Sequence, residues 1–225
     1  MIRWGFSLGL RAGLVASRPV FPMLHVDNAR KGFFEDDDFR RVLGYLPEHL
    51  MPVALVAYQT GWRRNEVLSR EWRHVDLEAG WLRLDPGKAK NGEGRMVALV
   101  GELREVLEAQ RERHRAIERA SEPRRIIPWV FIRGDGSRVV DVRYSWAKAC
   151  RRGGVPGRLV HDRRRTAVRN MERAGVSRST AIKMSGHQTE SIYRRYAIVA
   201  ESDLRDGAEK LAAFHARKSA SAGRS

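Results

Sequence analysis

SGHQTESIYRRY, residues 185–196, opens beside a glycine-histidine pair and closes on a tyrosine, with His187 and Tyr196 nine positions apart. Taken alone, a tyrosine preceded by two arginines reads as an amphipathic surface residue. The stretch gains weight from what stands ahead of it. HDRRRTAVRN, residues 161–170, sets His161 and Arg164 three apart, on one face of a helix. Further back, TGWRRNEVLSREW, residues 60–72, puts Arg63 just past a glycine turn at a helix start. GKAKNGEGRMVAL, residues 87–99, puts Lys90 at the tip of a hairpin. Singly, Arg63 is an ordinary surface arginine, Lys90 keeps a turn soluble, and His161 with Arg164 is a basic patch. Their fixed order along one chain is far more specific than any one of them.

Working outward, MPVALVAYQ (51–59) is an apolar helix that turns at Thr60 and Gly61 into a second helix through RRNEVLSREW. A β-meander follows, with short strands at HVDL, WLRLDP and RMVALV and turns at Glu78–Gly80 and in KNGEG. Residues 101–118 form a charged amphipathic helix with Leu103, Val106, Leu107 and Gln110 at helical spacing. IIPWVFIRGDGS (126–137) reads as a buried strand entering a glycine-rich turn, and helices are expected at 141–152, 161–174, 178–185 and 189–197. ESDLRDGAEKLAAF (201–214) aligns Leu204, Ala208 and Leu211 on one helix face, and the last residues are expected to be disordered. At the other end, residues 1–18 resemble the end of a helix with Trp4, Leu8 and Leu14 as contacts. RPVFPMLHVDNARKG is an extended linker, and a helix with an acidic first turn follows in FFEDDDFRRVLGYL. The expected organisation is therefore 1–30 as a remnant and linker, 31–215 as one domain, and 216–225 as a tail.

Of 225 residues, 43 are Lys or Arg and 27 are Asp or Glu, a net charge of +16 that favours a polyanionic partner, nucleic acid first. Cys150 is the single cysteine, a packing residue that fits a reducing cytoplasm. WGFSLGL (4–10) is too short for a signal core or a membrane span, so neither export nor a membrane partner is expected. His74, Asp76, His161, Asp162 and His187 are candidate ligands at spacings that match no metal motif, and converging cations oppose a divalent ion. No metal or cofactor is expected.

The four motifs together resemble the tyrosine recombinase and phage integrase family, over about residues 30–212. TGWRR with Glu66 is similar to its first arginine motif, AKNGEGR to its hairpin lysine motif, HDRRRTA to its HxxR box, and GHQTESIYRRY to its final box. The resemblance implies an α+β, mainly helical catalytic-domain fold with a small antiparallel β-meander. It also implies a recombinase that cleaves and rejoins double-stranded DNA for integration and recombination of a mobile element, as a homo-tetramer during synapsis. Tyr196 would attack the scissile phosphorus to give a 3′-phosphotyrosine, with Arg63 and Arg164 holding the non-bridging oxygens through fork-shaped guanidiniums. His187 would donate to the phosphate, His161 would orient it or accept the tyrosine proton, and Lys90 would protonate the leaving 5′-oxygen. Glu66 is expected to be structural.

The chain departs from the family pattern at Arg163, where an apolar residue is usual, and in carrying Tyr193 on the same helix as Tyr196. The family also has an N-terminal helical clamp domain, of which residues 1–18 match only the last helix. The alternatives are a non-catalytic DNA-binding remnant of an integrase and a type IB topoisomerase, the latter disfavoured by the RRY ending and the short chain.

Overall fold

The computed structural model describes residues 2–22, 32–87, 94–123, 126–194, 204–205, 207–213 and 215. Lys90, Tyr196 and the tail beyond 215 lie outside them. The chain divides into two compact units, Met1–Lys31 and Gly32–Ser225. In the first, α1 (Ile2–Arg11) is helical as expected. Trp4, Leu8 and Leu14 are exposed, however, so they are not the contacts the sequence suggests. A tilted ring pair between Phe6 and Phe21, 5.5 Å apart, is an apolar contact of this unit instead.

The second unit is built around α3 (Met51–Thr60), whose residues are apolar on every side and buried from Pro52 through Tyr58. A helix with no polar face must be enclosed, and α3 packs on α5 (Gly101–Ala120) and α7 (Asp162–Arg173). α2 (Asp36–Gly44) starts with three aspartates at the positive end of its dipole and buries Phe39, Val42 and Leu43. Phe39 stacks flat on Tyr58 at 3.8 Å. α6 (Arg143–Arg152) adds Trp146, Ala149 and Cys150 to the same cluster. Cys150 is buried, in the packing role read from the sequence.

α4 is shorter than the sequence suggests, Arg64–Leu68, and a 3₁₀ turn at Trp72–His74 replaces the rest of the expected helix. Just past its end the buried guanidinium of Arg70 donates to the Glu66 and Arg83 carbonyls and to Ser69 Oγ. The meander is present, with strands β1 (Val75–Asp76), β2 (Trp81–Leu84) and β3 (Arg95–Ala98) antiparallel in the order β1-β2-β3. Arg95 faces Leu84 and Val97 faces Leu82.

Residues 126–137 do not form the expected strand. Ile127, Val130, Phe131 and Ile132 are buried while Ile126 and Pro128 are exposed, and the stretch makes only isolated bridges, Glu71 with Trp129 and Ile132 with Arg138. Pro128 has no N–H to give a ladder. The Val130 carbonyl is taken by two side chains of α5, Gln110 Nε2 at 3.1 Å and His114 Nε2 at 2.9 Å. α8 (Arg178–Ser185) and α9 (Glu190–Arg194) follow at the expected places, and the described residues between 204 and 215 are helical, with Leu204 and Leu211 exposed. Among the described residues no helix is long and apolar enough to cross a membrane.

Candidate active site

Two helix ends meet at the site, and both are closed by glycine. α3 ends at Gly61 and α8 at Gly186, each with φ of 68°. Such left-handed caps suit residues without a Cβ. They turn carbonyls outward that a continuing helix would have used, and α7 supplies the donor. Arg164 Nη1 donates to Gly61 O at 2.6 Å and Ser185 O at 2.5 Å, and its Nη2 donates to Gly186 O at 3.3 Å. One planar guanidinium thus joins three helices, and its charge sits at the negative ends of α3 and α8. Trp62 adds a fourth link, from its Nε1 to Met184 O at 2.9 Å.

Arg63 is the N-cap of α4, as its place after the glycine turn predicts. Its backbone N–H donates to Glu66 Oε2 at 2.8 Å and its Nη1 to Glu66 Oε1 at 3.0 Å. The Glu66 side chain is 5% exposed and that of Arg63 is 30% exposed. Arg63 therefore reaches solvent while being held by a buried carboxylate. The structural role expected of Glu66 has this physical content.

Arg95 belongs to the cluster and was not among the residues read from the sequence. Its buried side chain donates from Nη2 to Glu66 Oε1 at 3.0 Å and from Nη1 to Ser185 O at 2.9 Å. The signal was present. Strand parity puts Arg95 on the same face as Val97 and Leu99, both buried, so an arginine there points inward.

His187 is buried, with Nδ1 2.8 Å from Ser185 Oγ. Burial pushes its pKa down to about 3, and Arg164, Arg63, Arg95 and His161 push the same way. His161 is the N-cap of α7 and is exposed at its surface. The packing around it still lowers its pKa, with Arg164 the next cause. Both imidazoles are neutral near pH 7. The structure thus brings together Arg63, Arg164, His161 and His187, with Arg95 and Glu66 added. The cluster holds three guanidiniums and one carboxylate, Glu66, which pairs with Arg63 and Arg95, an imbalance that suits an anion.

Tyr193 is a core residue. It is fully buried beside Val168, Met171 and Ala181, and its ring meets His187 edge-on at 5.4 Å. Burial raises its phenol pKa, and Glu172 raises it further. Arg163, the departure from an apolar position, is also buried. It lies 4.4 Å over the Trp146 ring, with Nε donating to Val160 O. Burial brings its pKa down to about 9. Among the described residues no three His, Cys, Asp or Glu side chains gather as a metal set. His74 is engaged by the Glu71 N–H and Asp85.

The model of the phage integrase family matches residues 35–203. The chain belongs to that family. It is 26% identical over 206 residues to the integrase of Salmonella phage P22, covering 86% of this chain and 50% of that protein. The chain thus spans half the length of this curated relative. Its fold is that of tyrosine recombinase catalytic domains. A lambda integrase dimer bound to a core site matches with a TM-score of 0.68 at 15% identity, covering 88% of this chain and 57% of that one. The Tn1549 transposon integrase in complex with circular intermediate DNA matches at 0.69 and 13%, covering 91% and 75%. XerA recombinase matches at 0.66 and 16%, covering 93% and 74%.

Proposed function

We propose that the chain is the catalytic part of a site-specific recombinase that cuts and rejoins double-stranded DNA through Tyr196, integrating or recombining a mobile element. The observation that carries this reading is the tethered arginine cluster. Arg164 is fixed by three carbonyls and Arg63 by Glu66, so both guanidiniums are set before any phosphate arrives. Preorganised charge of this kind stabilises the developing phosphorane, whose extra negative charge lies on the non-bridging oxygens. Tyr196 attacks phosphorus, the bond to the 5′-oxygen breaks, and Lys90 gives that oxygen its proton. The free 5′-hydroxyl of a second strand reverses the step, so no nucleotide cofactor is consumed. His161 lies at the exposed edge of the cluster, and on this reading it would orient the phosphate or take the phenolic proton. The burial of Tyr193 supports Tyr196 as nucleophile, since a phenol packed in the core with a raised pKa is a poor one.

DNA complexes among the structural relatives support DNA as the partner. A homo-tetramer on DNA is the assembly that strand exchange requires. The test is a nicked suicide substrate carrying the target site. A covalent protein-DNA adduct mapping to Tyr196 is expected. Binding without any adduct on a verified site would favour the non-catalytic remnant.

A further inference from the structure

Between α6 and α7 the chain runs through residues 153–161 without a helix or strand, so the place of His161 at the end of that run depends on side chains that hold it. Asp162 Oδ2 accepts from the Leu159 N–H at 2.7 Å, Trp146 Nε1 donates to Arg158 O at 3.2 Å, and Arg163 Nε donates to Val160 O at 3.2 Å. The three residues before the histidine are thus each held by a side chain. Trp146 is itself buried and meets Phe34 edge-on at 5.5 Å, so its ring belongs to a packed core. Arg163 lies over that ring, its Cζ 4.4 Å from the centroid, and only 1% of its surface is exposed.

A cation is poorly placed there on two counts. Among the described residues no carboxylate pairs with Arg163, and burial disfavours its charge. It also occupies the first turn of α7, at the positive end of the helix dipole. An apolar side chain of similar length would fill the same space at neither cost. What such a side chain lacks is a donor for Val160 O and a charge attracted to the face of the Trp146 ring. We propose that Arg163 is a positioning residue which, clamped on Trp146, holds the Val160 carbonyl and thereby fixes His161 at the edge of the arginine cluster. Resting on the recombinase reading, this sets His161 before the phosphodiester arrives. Arg163 itself, being buried, touches neither DNA nor the reacting atoms. The residue at which the chain departs from the family pattern thus acts on its neighbour two positions back, through the main chain.

The test uses the full chain and begins without DNA. Arg163→Met removes the charge and the donor while nearly keeping the volume. In hydrogen exchange, the amides of Leu159, Asp162 and Arg164, bonded to Asp162 Oδ2, Leu159 O and His161 O, should exchange about tenfold faster, the scale of one lost hydrogen bond. Ala167 and Val168, deeper in α7, should keep their wild-type protection. Trp146→Phe, which keeps a ring and loses the Nε1–H, should act in the same direction. Unchanged protection at the three amides, faster exchange along the whole of α7, or loss of the fold in both variants overturns the clamp. On saturating DNA, Arg163→Met should cleave at least about tenfold more slowly, with DNA affinity within about twofold. In a His161→Ala background the same substitution should slow cleavage no further. Full-rate cleavage by Arg163→Met, a loss carried by affinity alone, or an equal loss in both backgrounds overturns the role through His161. Failure of the wild-type chain to form any adduct would remove the recombinase reading while the exchange result stood.

Discussion

Lysine at position 164 would keep the charge and lose the geometry. A single ammonium cannot reach Gly61 O, Ser185 O and Gly186 O in one plane and still present a fork to phosphate. Arg164→Lys is therefore expected to lower single-turnover cleavage at saturating DNA by at least about a hundredfold, the scale for losing a preorganised donor. Near-normal cleavage would demote Arg164 to a structural tie. Tyr196→Phe should abolish the covalent adduct while leaving DNA affinity within about twofold, because only the nucleophilic oxygen is lost. Tyr193→Phe should still form it, and an adduct mapped to Tyr193 would reverse the assignment. At this scale the sequence is informative where chemistry resides in residue type and order, as with Arg63, His161, Arg164 and His187. It is silent where the work is done by main-chain carbonyls, which carry no residue signature. Ser185 went unread for that reason, since its carbonyl is what accepts from Arg164 and Arg95.

Among the elements, the meander and the helices on either side of it follow from turn glycines and periodicity. The stretch 126–137 does not, because periodicity cannot say that α5 side chains will claim the Val130 carbonyl. His114 on α5 also carries a pH dependence. The Trp72 Nε1–H donates to its Nδ1, so its Nε2 must carry the proton given to Val130 O. Burial lowers its pKa to about 4, against an ordinary value near 6.5. The unfolded chain thus binds the extra proton first. Stability from this group is full above about pH 6.5 and is lost as pH falls toward 4. Thermal melts between pH 7 and 4 should show this decline, and His114→Gln should flatten it. Gly186 makes a second test at this scale. An added Cβ would lie 1.5 Å from Arg95 Nη1, and φ is positive there. Gly186→Ala should cost about 1–2 kcal/mol in backbone strain. It should also displace Arg95 from Glu66 and slow cleavage as Arg95→Ala does. Unchanged cleavage in both variants would show that Arg95 only fills space.

For the molecule as a whole, a net charge of +16 is expected to make salt the dominant variable in the proposed DNA binding. Log affinity should fall linearly with log salt, and Arg63→Ala should make that slope shallower by about one unit if Arg63 neutralises a phosphate. Leu204 and Leu211 remain exposed on their helix. If that face seats on a neighbouring protomer in a tetramer, deletion of 201–225 should impair strand exchange more than first-strand cleavage. Equal loss of both would assign the segment to its own domain.

The carbonyl-anchored Arg164 also bears on when the site comes into being. Its bonds close chain loops of 103 residues to Gly61 and 21 to Ser185, and Arg95 reaches Ser185 across 90. Contacts of such sequence separation form late, after local helices and hairpins have condensed. A chain emerging from the ribosome carries Arg95 long before Ser185 exists to accept from it. The arginine cluster is thus among the last features to assemble, and on the proposed function a partially synthesised or internally cleaved chain is expected to retain charge that attracts DNA while lacking the geometry to cut it.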